Sequence, residues 1–207
     1  MEHYVITIAR GYGSGGKTMG MMLAEELGIH FYDRELLRLA SDESGINEEL
    51  FGRADEQLKQ SLLFRIARKE YKGELIPPDR EDFVSNDNLF NYQAKVIKQI
   101  AEQESCVIVG RCADFILKDM DNVVKIFVHA SVEDCVGRLK GMFSLPEKEL
   151  EKKVITTDKR RAAYYKYYTG RNWEDAQNYD LCLNSQQLGF DKGVQIVKNY
   201  LDIRFQK

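Results

Sequence analysis

Gly11-Tyr12-Gly13-Ser14-Gly15-Gly16-Lys17-Thr18 is the stretch from which the rest of the chain is read. It fits G-x-x-x-x-G-K-[ST], the spacing of a phosphate-binding loop between a strand and a helix. The flanks supply that context. Tyr4-Val5-Ile6-Thr7-Ile8-Ala9 is a short β-prone run before it, and Met19, Met22, Leu23 and Leu27 follow at helical spacing. Glycines let the backbone curl until its N–H groups converge on phosphate oxygens. A helix N-terminus adds partial positive charge. Gly11, Gly13, Ser14, Gly15, Gly16, Lys17 and Thr18 are therefore the expected nucleotide-binding residues. Lys17 is expected to reach the β/γ-phosphates, and the Thr18 hydroxyl to take a place on Mg²⁺.

A chain of 207 residues suits one domain with a single hydrophobic core. Its 43% hydrophobic and 30% charged residues are an ordinary water-soluble composition. The net charge of −3 gives no overall attraction to nucleic acid or to an anionic membrane. No stretch reads as a signal peptide or a transmembrane run, so the expected home is the cytoplasm, with neither membrane nor nucleic acid as partner. Cys106, Cys112, Cys135 and Cys182 show no metal-binding spacing, and Cys106 and Cys182 lie in apolar runs that predict burial.

After the first helix, Gly28 reads as a helix stop and Ile29-His30-Phe31-Tyr32 as a second strand ending at Asp33. Alternating strands and helices predict a parallel sheet covered on both faces, with ligands at the carboxyl ends of its strands. From Glu48 to about Tyr71, Phe51, Ala54, Leu58, Leu62 and Ile66 mark an amphipathic helix. Residues 41–88 contain no strand pattern and read as a helical insertion. A helix over about 88–104 leads into Cys106-Val107-Ile108-Val109, closed by Gly110-Arg111. Val123–Val128 is the fourth strand, Ser131 an N-cap for a helix to about Lys140, and Tyr179–Leu183 the fifth strand before a closing helix. The core is thus assigned to 1–40, 89–141 and 171–207, and a lid to 142–170.

Phosphoryl transfer needs an acceptor site, charge neutralisation and exclusion of water. Asp33, at a strand end, is placed to hold an acceptor or to position Mg²⁺ through water, or else to N-cap the next helix. Arg111, at the next strand end, suits an acceptor phosphate. No aspartate closes that strand, and Asp114, one turn on, is a weaker stand-in. The helical stretch Lys153–Tyr168 is dense in basic and aromatic residues; Arg160 and Arg161 would stabilise transition-state charge from a closing lid. The competing readings are a solvated basic helix, with its interleaved aromatics either core or a nucleic-acid surface. Arg65 on the insertion is a further acceptor-phosphate contact or an ordinary surface charge.

The order of these features resembles cytidylate kinase and its relatives among the P-loop nucleoside monophosphate kinases. The similarity is greater to the cytidylate kinase-like family of bacterial proteins. It is carried by Phe31–Leu37, Val107–Asp114, Val124–Ala130, Thr157–Arg161 and Tyr179–Leu181. The resemblance implies a P-loop α/β/α fold with a five-stranded parallel sheet of order 2-3-1-4-5, an acceptor-binding insertion and a lid. It also implies ATP and Mg²⁺ as cofactors and a nucleoside monophosphate as acceptor. Arg38 stands one residue out of register with an acceptor-binding arginine of cytidylate kinases. In those enzymes the third strand ends Gly-Arg-Asp, whose aspartate helps recognise cytosine; here Cys112 takes its place. Their lid pattern Arg-Asp-x-x-Asp-x-x-Arg is replaced around Thr157-Asp158-Lys159-Arg160-Arg161. Phosphate handling therefore carries over and recognition of CMP does not. Two other functions fit the residues: a kinase of another small metabolite, with an alcohol activated by Asp33, and a weakly catalytic nucleotide sensor.

Overall fold

A computed structural model of the chain describes residues 3–57 and 73–205. β1 (Val5–Arg10) runs into the glycine loop and α1 (Gly16–Leu27), then β2 (His30–Tyr32), α2 (Glu35–Ser44) and α3 (Glu48–Gln57). α4 (Asn86–Gln103) precedes β3 (Cys106–Val109), α5 (Ala113–Ile116) and β4 (Val123–His129). α6 (Val132–Lys140), α7 (Glu147–Thr169), β5 (Leu181–Asn184) and α8 (Ser185–Phe205) complete it. All strand pairs are parallel, in the order β2-β3-β1-β4-β5 that the family resemblance implies. β1 is central, so the glycine loop leaves the middle of the sheet's carboxyl edge.

Strand alternation sorts the core into two layers. Val5, Ala9, Cys106, Ile108, Val123 and Phe127 face α2, α4, α5 and the end of α7. Ile6, Ile8, Val107, Val109, Val124 and Ile126 face α1 and α8. Each such aliphatic side chain contributes about 1.5–3 kcal/mol on burial. The helix signals have their expected structural counterparts. Gly28 and Gly170 stop α1 and α7 in the left-handed conformation. Ser131 Oγ accepts from the Asp134 N–H to cap α6.

One detail corrects the sequence reading, and two decide between its alternatives. Cys182 is exposed rather than buried: β5 is an edge strand, and its apolar partners Leu181 and Leu183 sit on the other face. Arg34, not Asp33, holds the N-cap position of α2, which leaves the Asp33 carboxylate for other work. The tyrosines of 164–168 belong largely to the core. Tyr165 and Tyr168 are buried, and Tyr168 stacks on Phe90 with centroids 3.9 Å apart. A nucleic-acid platform would need those rings exposed. The amphipathic pattern beyond Gln57, with Arg65, lies outside the described residues.

Asp114 is buried on α5 and accepts a hydrogen bond from the Tyr165 hydroxyl at 2.6 Å, tying α5 to α7. It acts as an internal strut and not as a metal carboxylate. Burial pushes its pKa up to about 6, against the downward pull of the Tyr165 hydrogen bond and the Lys125 and Arg171 charges. A carboxyl raised in the folded state gives its full stabilisation at low pH and loses it as pH rises through the folded value. Denaturant midpoints of Asp114→Asn should therefore lack a component of the wild-type profile, a fall in stability between about pH 4 and pH 6. Identical profiles for the two proteins would refute this.

Candidate active site

The glycine loop has the shape its sequence demands. Gly13 and Gly15 adopt φ of 81° and 82°, open at low cost only to glycine. A Cβ on Gly13 would press on Cys135, and one on Gly15 would overlap the Phe190 ring. The loop is braced from two sides. From α6, Arg138 donates through Nη1 to the Ser14 carbonyl at 2.7 Å and to Ser185 Oγ at 3.0 Å. Ser185 in turn donates to the Ser14 carbonyl at 2.6 Å. From α7, Asp158 Oδ1 accepts from the Tyr12 N–H at 2.8 Å. The Ser14 hydroxyl turns inward onto the Gly11 carbonyl at 2.8 Å, so Ser14 shapes the loop through its side chain.

Lys17 and Thr18 open α1 and are both exposed. No acidic side chain lies in the first turn of α1, which leaves its N-terminal field to an anion. Lys17 Nζ lies 2.7 Å from Asp33 Oδ2. Burial pushes the Asp33 pKa upward, but the Lys17 hydrogen bond and the charges of Arg10, Lys17 and Arg111 outweigh it, and the net shift is down. Asp33 is therefore ionised at neutral pH. Beside it, Arg111 donates through Nε to the Asp33 carbonyl at 3.2 Å and through Nη1 to Gln93 Oε1 at 3.1 Å. The end of β3 and the end of β2 are thus joined, with Lys17 completing the line.

Arg111 is aimed by strained backbone. Gly110, Arg111 and Cys112 take successive φ values of 80°, 57° and 55°. Left-handed conformations cost non-glycine residues about 1–3 kcal/mol each and persist where surrounding structure holds them. Cys112 is 4% exposed, and it packs in the core with Tyr165 and Tyr179 instead of lining the cleft.

The two arginines of α7 expected to close from a lid part company. Arg161 donates to the Arg10 carbonyl at 3.0 Å and lies over the Tyr12 ring, 5.5 Å from its centroid. Arg160 is exposed, 3.5 Å from Thr157 Oγ1. Asp158 and Arg161 keep the Asp-x-x-Arg spacing of the second half of the lid pattern, so that half is retained. Arg38 pairs along α2 with Glu35 at 2.9 Å and Asp42 at 4.0 Å, apart from the Asp33–Arg111 group. Sequence reasoning missed Arg10, Gln93, Arg138, Asp158 and Ser185 as parts of the site. Only Asp158 carried a signal, the spacing just named.

The donor set fits a triphosphate with a hard cation. It offers loop amides, an ammonium, a hydroxyl and one ionised carboxylate. Among the described residues no group of three His, Cys, Asp or Glu could cage a metal. Such a set suits Mg²⁺, which is held largely by phosphates and water.

Residues 5–187 match the model of the cytidylate kinase-like family. A cytidylate kinase of Methanopyrus kandleri is 24% identical, over 96% of this chain and 93% of its own. An uncharacterised protein of Eubacterium ventriosum has a crystal structure that superposes with a TM-score of 0.70 at 26% identity, covering 97% of this chain and 99% of that one. A shikimate kinase from Bacteroides thetaiotaomicron shares the fold, with a TM-score of 0.55 at 15% identity over 96% and 98% of the two chains. No helix of the described residues is long and apolar enough to cross a membrane.

Proposed function

The chain belongs to the cytidylate kinase-like family, and from that premise we propose that it transfers the terminal phosphoryl group of ATP to a nucleoside monophosphate. The observation that carries this reading is the continuous line Lys17–Asp33–Arg111, which joins the triphosphate loop to the ends of β2 and β3. Loop amides and Lys17 would bind the donor phosphates. Arg111 would grip the acceptor phosphate with its planar fork, and Arg161 would stabilise charge from the lid. Asp33 orients Lys17 now and would exchange that contact for the acceptor. Magnesium, held by Thr18 and the phosphates, would supply charge neutralisation. A phosphate oxygen is already anionic, so this acceptor needs no general base.

A second reading is favoured by the ionised state of Asp33. A carboxylate there can take the proton of a hydroxyl acceptor, which makes a kinase of a small alcohol the alternative. An ADP-release panel of nucleoside monophosphates and small polyols tests both readings. Turnover with one nucleotide and none with polyols supports the first reading, and the reverse result supports the second. Tight ATP binding with no turnover on any acceptor would replace both with a nucleotide sensor.

A further inference from the structure

We propose that Arg10 is a further phosphate-contacting residue, whose guanidinium meets the phosphoryl group in flight between the donor and acceptor halves of the cleft. This rests on the reading of the chain as a phosphotransferase and extends it to a residue outside the glycine motif. Arg10 ends β1, the central strand, next to the loop. That is the point of an open parallel sheet where connections diverge to opposite sides and ligands settle.

Two glycines give its side chain a path. A Cβ on Gly16 would collide with Arg10 Cβ, and a Cβ on Gly110 would collide with Arg10 Nη1. The stem therefore passes across the first residue of α1, and the guanidinium comes to rest against the residue before Arg111. Its charge is felt on both sides of the cleft. It opposes the upward push of burial on the carboxyl of Asp33 and on that of Asp158 in the lid. The Arg10 carbonyl meanwhile anchors Arg161. The charges of Lys17, Arg10, Arg111 and Arg161 thus act on Asp33 and Asp158, with Glu174 acting on Asp158 and Arg160 on Arg161. Five cations against three carboxylates leave an excess of positive charge that suits a polyanion.

In the step itself, the bond between the terminal phosphorus and the bridging oxygen breaks. A bond to an oxygen of the acceptor phosphate forms, and ADP leaves with the electron pair. The equatorial oxygens of the moving group carry its charge, and parallel N–H groups of one guanidinium match two of them. The charges of Asp33 and Asp158 act on that guanidinium before substrate arrives, which favours a site organised in advance.

The test compares wild type with Arg10→Gln and Arg10→Lys, using CMP or whichever acceptor the panel identifies. The measurements are MgADP affinity, kcat, both KM values and the apo melting temperature. Arg10→Gln should bind MgADP within about threefold of wild type and lose about 10³-fold in kcat. Arg10→Lys, with the charge but not the fork, should fall between the two. Unchanged kcat in Arg10→Gln would overturn the proposal while the kinase reading stands. So would a loss of MgADP affinity as large as the loss of rate, which would make Arg10 a support for the loop. Full activity in Arg10→Lys would reduce the contact to a diffuse field and overturn it too. A wild-type chain that turns over no acceptor would remove the kinase reading and this proposal together.

Discussion

Lys17→Ala is expected to lower kcat/KM for phosphoryl transfer by about 10³-fold or more, with the fold intact. Lys17 does one thing for the ligand and another for the protein. For the ligand it is the one ammonium in the glycine motif, at the head of α1 and without acidic neighbours in that turn. For the protein it is one partner of a half-exposed ion pair: Lys17 is 55% and Asp33 16% exposed. Pairs exposed to that degree contribute at most about 1 kcal/mol after solvent screening. The Asp33 carboxylate also keeps the favourable charges of Arg10 and Arg111 when Lys17 is gone. A chain of this size changes its melting temperature by about 2–4 °C per kcal/mol. The variant should therefore melt within about 4 °C of wild type while failing in an ADP-release assay. A drop of about 10 °C or more, with activity lost in proportion, would make Lys17 chiefly structural.

The donor half of this site was legible in the sequence because its chemistry is local. Gly11–Thr18 are consecutive, and a strand and helix signal flank them. The sheet order followed from the resemblance, and element ends followed from Gly28, Ser131 and Gly170. The rest depends on contacts between distant residues. Gln93 meets Arg111 across 18 positions and Asp158 meets Tyr12 across 146. Nothing in the spacing of Gln93 on α4 distinguishes it from any polar helical residue. Arg10 was passed over because a strand-ending arginine reads as punctuation until Gly16 and Gly110 are seen to make room for it. The tyrosines of α7 stay open, in the sequence, between core and nucleic-acid surface. A basic and aromatic stretch suggests a surface, and only packing against Phe90 and Asp114 reveals that half of it is core.

Arg111→Ala should leave two distinct marks. The first is on the acceptor: its KM should rise by about 10²-fold, while MgADP affinity stays within about threefold, since the bonds of Arg111 to Asp33 and Gln93 set it at the ends of β2 and β3. The second is on stability. Gln93 is 1% exposed, and its Nε2 has no partner among the described residues. Its Oε1 accepts from Arg111, so the substitution strands a whole amide in the interior. An acceptor left unsatisfied in that way costs about 1–3 kcal/mol. Alanine brings little relief of backbone strain to set against that loss, because any Cβ is disfavoured at the φ of 57° this position holds. Glycine has no Cβ and escapes that strain. Arg111→Gly should therefore be more stable than Arg111→Ala yet equally poor toward the acceptor. Adding Gln93→Leu to Arg111→Ala should recover stability by removing the stranded amide, without recovering KM. If the double variant is less stable than Arg111→Ala, the buried pair is not the source of the loss. If MgADP affinity falls together with acceptor affinity, Arg111 belongs to the donor site, and the division of the cleft at Asp33 is wrong.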